Sequence, residues 1–255
     1  MLLTLIKEET NMAFATEKYM LPTAGMLEGV PKEVTIRNMT TAEEKMLLGS
    51  SDDSFDAIIG RCVVDEGFDI NSITSADKFF LLIKLRVISY GADYYYRYQC
   101  PYCGKVHEYM VNLDELETIY LPEDFKEPYD TFTLPMSKHE VTLKIPRIRD
   151  LNDNKMKVKR YNKKFPEAQG DISLVYGMMS NIATINGKEM GGMEYLRFIE
   201  ELPAKDSSFI RNRIQRLEVG IDTRLFETCK TSKCGEDLEI NLRLGPEFFH
   251  TRLGE

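Results

Sequence analysis

Apolar positions along this chain change their spacing repeatedly, and each change marks an element. VTIRNM (34–39) alternates apolar and polar residues and predicts a short strand. TAEEKMLLG then turns helical, with Thr40 or Thr41 as its cap, Glu43 and Glu44 in the first turn where the helix dipole favours them, and Gly49 as its stop. In DSFDAIIGRCV, Phe55, Ile58, Ile59 and Cys62 recur at helical spacing. Thr74 or Ser75 opens a long helix running from Ala76 to about Tyr90, closed by Gly91. It is apolar around much of its circumference, which predicts a central place in the fold. Residues 12–30, punctuated by Pro22, Gly25 and Gly29, read as irregular.

Further on, YYYRYQC reads as a strand and KVHEYMVNL as its return, with DELETIYLPEDF a turn holding a short strand or helix. TFTLPM and HEVTLKIP form a hairpin joined through Ser137 and Lys138, with Val141, Leu143 and Ile145 on one face. Asp150 starts a charged helix, LNDNKMKVKRYNKKF, that ends before Pro166. DISLVYGMMSNIATI reads as one buried helix and INGKE as a turn. GGMEYLRFIEEL and KDSSFIRNRIQRLEVG follow as helical segments; Asp206 or Ser207 caps the second, and Phe209, Ile210, Ile214 and Leu217 make its stripe. DTRLFETC leads into DLEINLRL, whose Leu238, Ile240, Leu242 and Leu244 alternate as the clearest strand of the chain.

Composition narrows the class. The 255 residues carry a formal net charge of -8, and 43% are apolar, so the chain can bury one large core or two small ones. No apolar run approaches the ~20 residues that cross a bilayer. MLLTLIKEET lacks a basic leader and meets acids at Glu8 and Glu9, which argues against a signal peptide; Met12 is a second plausible start. The acidic balance argues against a general nucleic-acid binder. Three histidines and no tryptophan leave few proton-transfer groups near neutral pH.

The most specific signal is cysteine spacing. Cys100 and Cys103 lie in YQCPYCGKVH, Cys229 and Cys234 in TCKTSKCGED, and glycine follows each pair. Strands flank both pairs, and glycine permits the positive-φ turn of a metal knuckle. The arrangement predicts two knuckles sharing one structural Zn2+ through four thiolates, with no position open to substrate. A disulfide or redox role for CPYC, and plain unliganded cysteines, are the competing readings. Cys62 reads as a buried apolar-like residue. His107 is a possible substitute ligand but reads better as a strand residue, His139 as solvent-facing at the hairpin turn, and His250 as uninformative.

No phosphate loop, dinucleotide fingerprint, zinc-protease or serine-elbow motif occurs. Adjacent Glu43 and Glu44 do not face one another on a helix and make no catalytic pair. KMKVKRYNKK (155–164), with six Lys or Arg in ten residues, reads first as a solvated helix face, next as a docking surface for an acidic protein, last as a nucleic-acid contact, since Tyr161 alone could stack. Arg211, Arg213 and Arg216 form a smaller patch compatible with assembly. Tyr94, Tyr95, Tyr96, Tyr98 and Tyr102 serve either as ribbon core or as contact surface. Phe248 and Phe249 either dock on the body or insert into a neighbour.

YMLPTAG, VTIRNMTTAEEKMLLG, YQCPYCG and a closing strand followed by EFF together resemble the baseplate hub proteins of T4-like contractile-tailed phages, over Leu21 to Phe249. Thr23 stands where that family leads one to expect serine, and the second knuckle has a four-residue gap. The resemblance implies a structural or assembly component of the tail baseplate, without catalytic residues. Its implied partners are other baseplate or hub proteins; with the hydropathy and acidic balance above, no membrane and no small-molecule substrate are expected, and nucleic acid is not the expected partner. Its implied place is the virion tail baseplate, or the host cytoplasm during assembly. The combined expectation is an α+β fold: an irregular arm (1–33), a strand-plus-helix subdomain (34–93), a zinc-ribbon-like module (94–121 and 225–249) and an inserted hairpin and helical region (122–224). A zinc-ribbon adaptor that binds nucleic acid is the alternative.

Overall fold

A computed structural model describes residues 14–47, 52–167, 170–242, 244 and 246–249. The proposed first-helix stop at Gly49, the first eleven residues and His250 lie outside them. Strand β1 (Thr16–Met20) pairs antiparallel with β2 (Glu33–Arg37), so residues 16–20 are strand where the turn-forming composition around them reads as irregular. β1 is mostly exposed, which is why its sequence shows no clear apolar alternation; it is held by the ladder to β2, whose Val34 and Ile36 are buried.

Helix α1 (Thr41–Leu47) follows, then α2 (Asp52–Cys62), in which Phe55, Ile58, Ile59 and Cys62 are buried as their spacing predicts. Glu43 does more than sit against a helix dipole. Its fully buried carboxylate takes hydrogen bonds from Thr40 Oγ1 (2.7 Å), Arg61 Nε (2.8 Å) and Arg37 Nη2 (3.2 Å), joining β2, α1 and α2. Glu44 diverges to accept from Tyr90 Oη at 2.6 Å.

Helix α3 (Ser75–Tyr90) is the centre of the larger core. Phe80, Leu81, Leu82, Ile83 and Leu85 are all buried, on more than one face. Full burial of each such side chain is worth about 1.5–3 kcal/mol over exposure. Thr74 and Asp77 form a capping box at its start, and Asp77 also accepts from the Thr23 amide (3.1 Å) and hydroxyl (3.2 Å). Serine would make the same hydroxyl bond, so the family departure at position 23 leaves this contact available. At the other end the buried Arg86 donates to the carbonyls of Gly91 (2.7 Å) and Phe248 (3.1 Å).

Two hairpins then carry the cysteines: β3 (Asp93–Gln99) with β4 (Val106–Asn112) comes directly after α3. β5 (Thr118–Ile119) is brief. A second buried cluster follows, built on β6 (Tyr129–Thr133), β7 (Glu140–Leu143) and the helices beyond them. α4 (Ile148–Lys164) begins two residues earlier than Asp150, which instead accepts from the Arg147 amide at 2.9 Å. α5 (Ser173–Asn181) stops short of the single long helix expected: IATI forms β8 (Ile182–Ile185), the third strand beside β7. Its β-branched residues, with Ile182 and Ile185 buried, outweigh helical continuation.

α6 (Gly192–Glu200) and α7 (Ala204–Ile214) complete this part, and Ile210 of the expected stripe is buried. Asp206 does not cap α7. It is buried and accepts from the Met136 and Ser137 amides, both at 2.8 Å, pinning the β6–β7 turn. His139 is half-buried rather than solvent-facing, its ring 5.1 Å from that of Phe198. Arg213 is likewise drawn inward, ion-paired with Asp130 and 5.0 Å from the Phe132 ring centre, which removes it from the expected interface patch.

The chain returns to the larger core through β9 (Gly220–Ile221), which pairs with β5. Gly220 has φ +112°, and a Cβ there would lie 3.3 Å from Ala76 Cβ, so the return passes tightly over the start of α3. β10 (Arg224–Thr228) and β11 (Asp237–Asn241) form the second cysteine hairpin. Phe248 and Phe249, in a 3-10 turn at Pro246–Phe249, are buried on the body, which decides between docking and insertion into a neighbour. The result is a mixed α+β architecture of helices and small antiparallel sheets, and no described helix is long and apolar enough to cross a membrane.

Burial pushes the Glu43 carboxyl up, but bonds from Arg37, Arg61 and Thr40 outweigh it and hold the group well below the usual carboxylate range. A depressed folded-state value means its stabilisation is full above the usual carboxylate range, declines as pH falls below that range, and is gone once pH falls through the depressed value. Glu43→Gln is expected to cost about 3 kcal/mol at neutral pH by leaving two guanidinium groups without their anion. Urea unfolding at pH 7 and pH 3 checks this: the gap between wild type and variant narrows in acid.

Candidate metal centre

Each cysteine pair occupies the turn of a two-stranded hairpin, and the two turns are built alike. The Cys100 amide donates to the Lys105 carbonyl and the Cys229 amide to the Glu236 carbonyl, both at 2.9 Å, closing each turn at its base. Gly104 (φ +71°) and Gly235 (φ +60°) make the left-handed step after the second cysteine, where a side chain would be strained. Amide groups two residues downstream support the sulfurs: Lys105 for Cys103, Thr231 for Cys229, Glu236 for Cys234.

The hairpins meet so that Cys100 Sγ lies 3.8 Å from Cys234 Sγ, and Cys103 Sγ lies 3.7 Å from Cys229 Sγ. All four sulfurs fall within 4.8 Å of one another. A tetrahedron of sulfurs at a Zn–S length of about 2.3 Å has edges of about 3.8 Å. A disulfide requires about 2.05 Å. The donor set therefore fits a tetrahedral, thiophilic cation. CPYC leads into β4 and not into a helix, so it lacks the helix N-terminus that lowers the attacking thiol of a redox pair. Cys62 stands apart in α2, buried, with burial pushing its thiol up to about 11.

The site rests on an aromatic column. Phe248 packs on Tyr94 (centroids 4.9 Å apart), Tyr94 on Tyr96 (6.2 Å) and Tyr96 on Tyr109 (5.8 Å). Tyr109 is almost fully buried, and its hydroxyl donates to the Thr228 carbonyl of the other hairpin at 3.3 Å. Tyr96 reaches across to Glu227 at 3.2 Å. The tyrosine-rich strand thus packs inward at Tyr94 and Tyr96, while Tyr95 and Tyr102 remain exposed.

His107 is a strand residue whose Nε2 pairs with Thr231 Oγ1 at 2.8 Å; Thr231 Oγ1 in turn lies 3.7 Å from Cys103 Sγ. Thr231 and Lys230, whose ammonium sits 4.6 Å over the Tyr109 ring, were not singled out by spacing. The signal available was their place in the longer second knuckle. Charge within the cluster is uneven. The Lys105 amide, with Thr231 and the adjoining thiols, brings Cys103 down to about 6. Cys234 receives the Glu236 amide, but burial and the three nearby sulfurs drive it up to about 12.

Fold and site together define a structural class: a mixed α+β protein whose two distant hairpins converge on a four-cysteine cluster. A model of the family described as T4 bacteriophage base plate protein matches residues 17–250, and the chain belongs to that family. No curated protein and no solved structure matches it significantly. Membership makes the chain a structural or assembly component of a phage baseplate, acting through protein–protein docking and not through catalysis.

In metal-free protein, the exposed, low-lying Cys103 is expected to alkylate first with iodoacetamide at pH 7, and buried Cys62 last. Peptide mapping by mass spectrometry at short times reads the order.

Proposed function

We propose that the four thiolates of Cys100, Cys103, Cys229 and Cys234 hold one structural Zn2+, which clamps a zinc-ribbon-like module of residues 94–121 and 225–249. The observation that carries this reading is the pair of sulfur–sulfur separations, 3.7 and 3.8 Å, at the edge length of a tetrahedral thiolate site. With four protein ligands the ion has no site for water or substrate, so its contribution is to folding. The segment 122–224 is then a closed insertion with its own buried cluster, and 34–93 the helical subdomain packed beside the module. We place the protein at the tail baseplate, or in the host cytoplasm while the baseplate is built, docked to other baseplate or hub proteins. Family membership and the docking role support that reading.

Zinc analysis of protein purified without a metal-binding tag tests it. One zinc per chain is expected. Cys100→Ser or Cys229→Ser should abolish it and open the ribbon to proteolysis, while Cys62→Ala keeps full stoichiometry. Chelation should unmask four thiols and lower the melting temperature. Stoichiometric zinc that survives replacement of both Cys100 and Cys229 overturns the assignment, as does a metal-free chain with the same melting temperature before and after chelation.

A further inference from the structure

Helix α4 concentrates charge of one sign. It holds seven Lys or Arg against two Asp, a net of +5 in a chain of net -8, so all other residues together carry -13. One step of about 100° per residue puts Lys155, Lys157, Lys159, Arg160, Lys163 and Lys164 on a single outward arc. Met156, 50% exposed, lies at its middle. The opposite side is packed: Leu151, Val158 and Tyr161 are half-buried, and Asn154 donates to the Tyr176 carbonyl of α5 at 2.8 Å.

A merely solvated helix gains from opposite charges four residues apart. Here like charges recur at that spacing, Lys155 with Lys159, Lys159 with Lys163, and Arg160 with Lys164, which weakens the isolated helix. Lys157, Lys159, Arg160 and Lys163 have no ion pair among the described residues. Asp153, exposed within the arc and four residues before Lys157, is its one opposing charge.

We propose that the outward face of α4 docks an acidic, amphipathic segment of another protein, with carboxylates on the cations and an apolar side chain on Met156. The inference rests on the docking role of the family and is independent of the zinc reading. Three features favour protein over nucleic acid. Tyr161, the one aromatic within the run, is half-buried, with its ring centre 5.0 Å from that of Phe165, and offers no free stacking platform. The exposed Met156 suits the apolar centre of a protein interface ringed by charge and has no counterpart on a phosphate backbone. The arm from 155 to 164 is about 15 Å long. A short acidic segment matches that length, whereas a long polyanion would extend over the acidic remainder of the chain.

The test uses the full, zinc-loaded chain and a fluorescent synthetic peptide alternating Glu and Leu at helical spacing, with anisotropy read at about 50 mM salt. Saturable binding is expected. It should weaken about tenfold or more when Lys157, Lys159, Arg160 and Lys163 are each changed to Glu, and about tenfold in Met156→Ala. The same peptide with Gln for Glu should not bind. All five positions are exposed, and circular dichroism confirms that the variants stay folded. Equal affinity for wild type and the charge-reversed variant overturns the proposal. So does absence of binding to the peptide, which leaves a solvated face only, or tighter binding of a short DNA duplex. Zinc content measured on the same samples separates failure of this face from failure of the metal clamp.

Discussion

A helix buried on nearly all sides has to settle its polar ends inside the protein, and α3 does so with chain from far away. At its start, Asp77 takes four hydrogen bonds, two from Thr74 and two from Thr23. Burial alone would make this carboxylate costly; it pushes the group upward even against those bonds. At its end, Arg86 is buried and donates to the backbone carbonyls of Gly91, Asp93 and Phe248. The loop between β1 and β2, the first cysteine hairpin and the C-terminal aromatic turn are therefore fixed relative to one helix. The close passage of Gly220 over Ala76 adds the returning strand to the same end as Asp77.

This geometry brings the cysteine hairpins together before any ion is considered. β3 leaves α3 directly, with its first residues under Arg86, and Phe248 after β11 packs on Tyr94 of β3. The sulfurs that meet are separated by 126 and 134 residues. Closing a loop of that size in an unfolded chain costs several kcal/mol of conformational entropy, about 4–5 kcal/mol for a cross-link spanning 100 residues. The aromatic column and the α3 contacts offset part of that cost. A cation held by all four sulfurs would fix the two hairpins at their turns, where Cys100 and Cys229 are buried and Cys103 is exposed.

Most of this was legible wherever one physical signal dominated. The all-round apolar character of 76–90 located the central helix, and the Cys-x-x-Cys-Gly turn located the first knuckle. The misreadings fall where two signals compete. IATI continues the apolar run of α5, and only the three-stranded sheet, a non-local partner, makes it a strand. β1 carries almost no apolar alternation because its partner β2 supplies the buried face. Asp206 looked like a cap because caps are local; its actual partners, Met136 and Ser137, lie about seventy positions away. Arg213 likewise looked like surface until Asp130 came beside it. Residue type predicts what a group needs, while the fold decides which distant residue supplies it.

The unequal knuckles show the same principle at the centre itself. With two residues between its cysteines, the first turn folds on itself, and Gly104 donates back to the Cys100 carbonyl at 2.9 Å. With four residues between them, the second cannot close that way. Its Cys234 and Gly235 amides instead return to the Thr231 carbonyl, at 2.9 and 3.1 Å, making a small inner turn. That turn displaces Lys230 and Thr231 toward the other hairpin, where Lys230 covers Tyr109 and bonds the Glu108 carbonyl, and Thr231 meets His107 and Cys103. Both knuckles still deliver their sulfurs to one cluster, all within 4.8 Å of one another. The wider spacing is thus the means by which one hairpin grips the other, and shortening it to two residues would keep the ligands while removing the contacts that orient them.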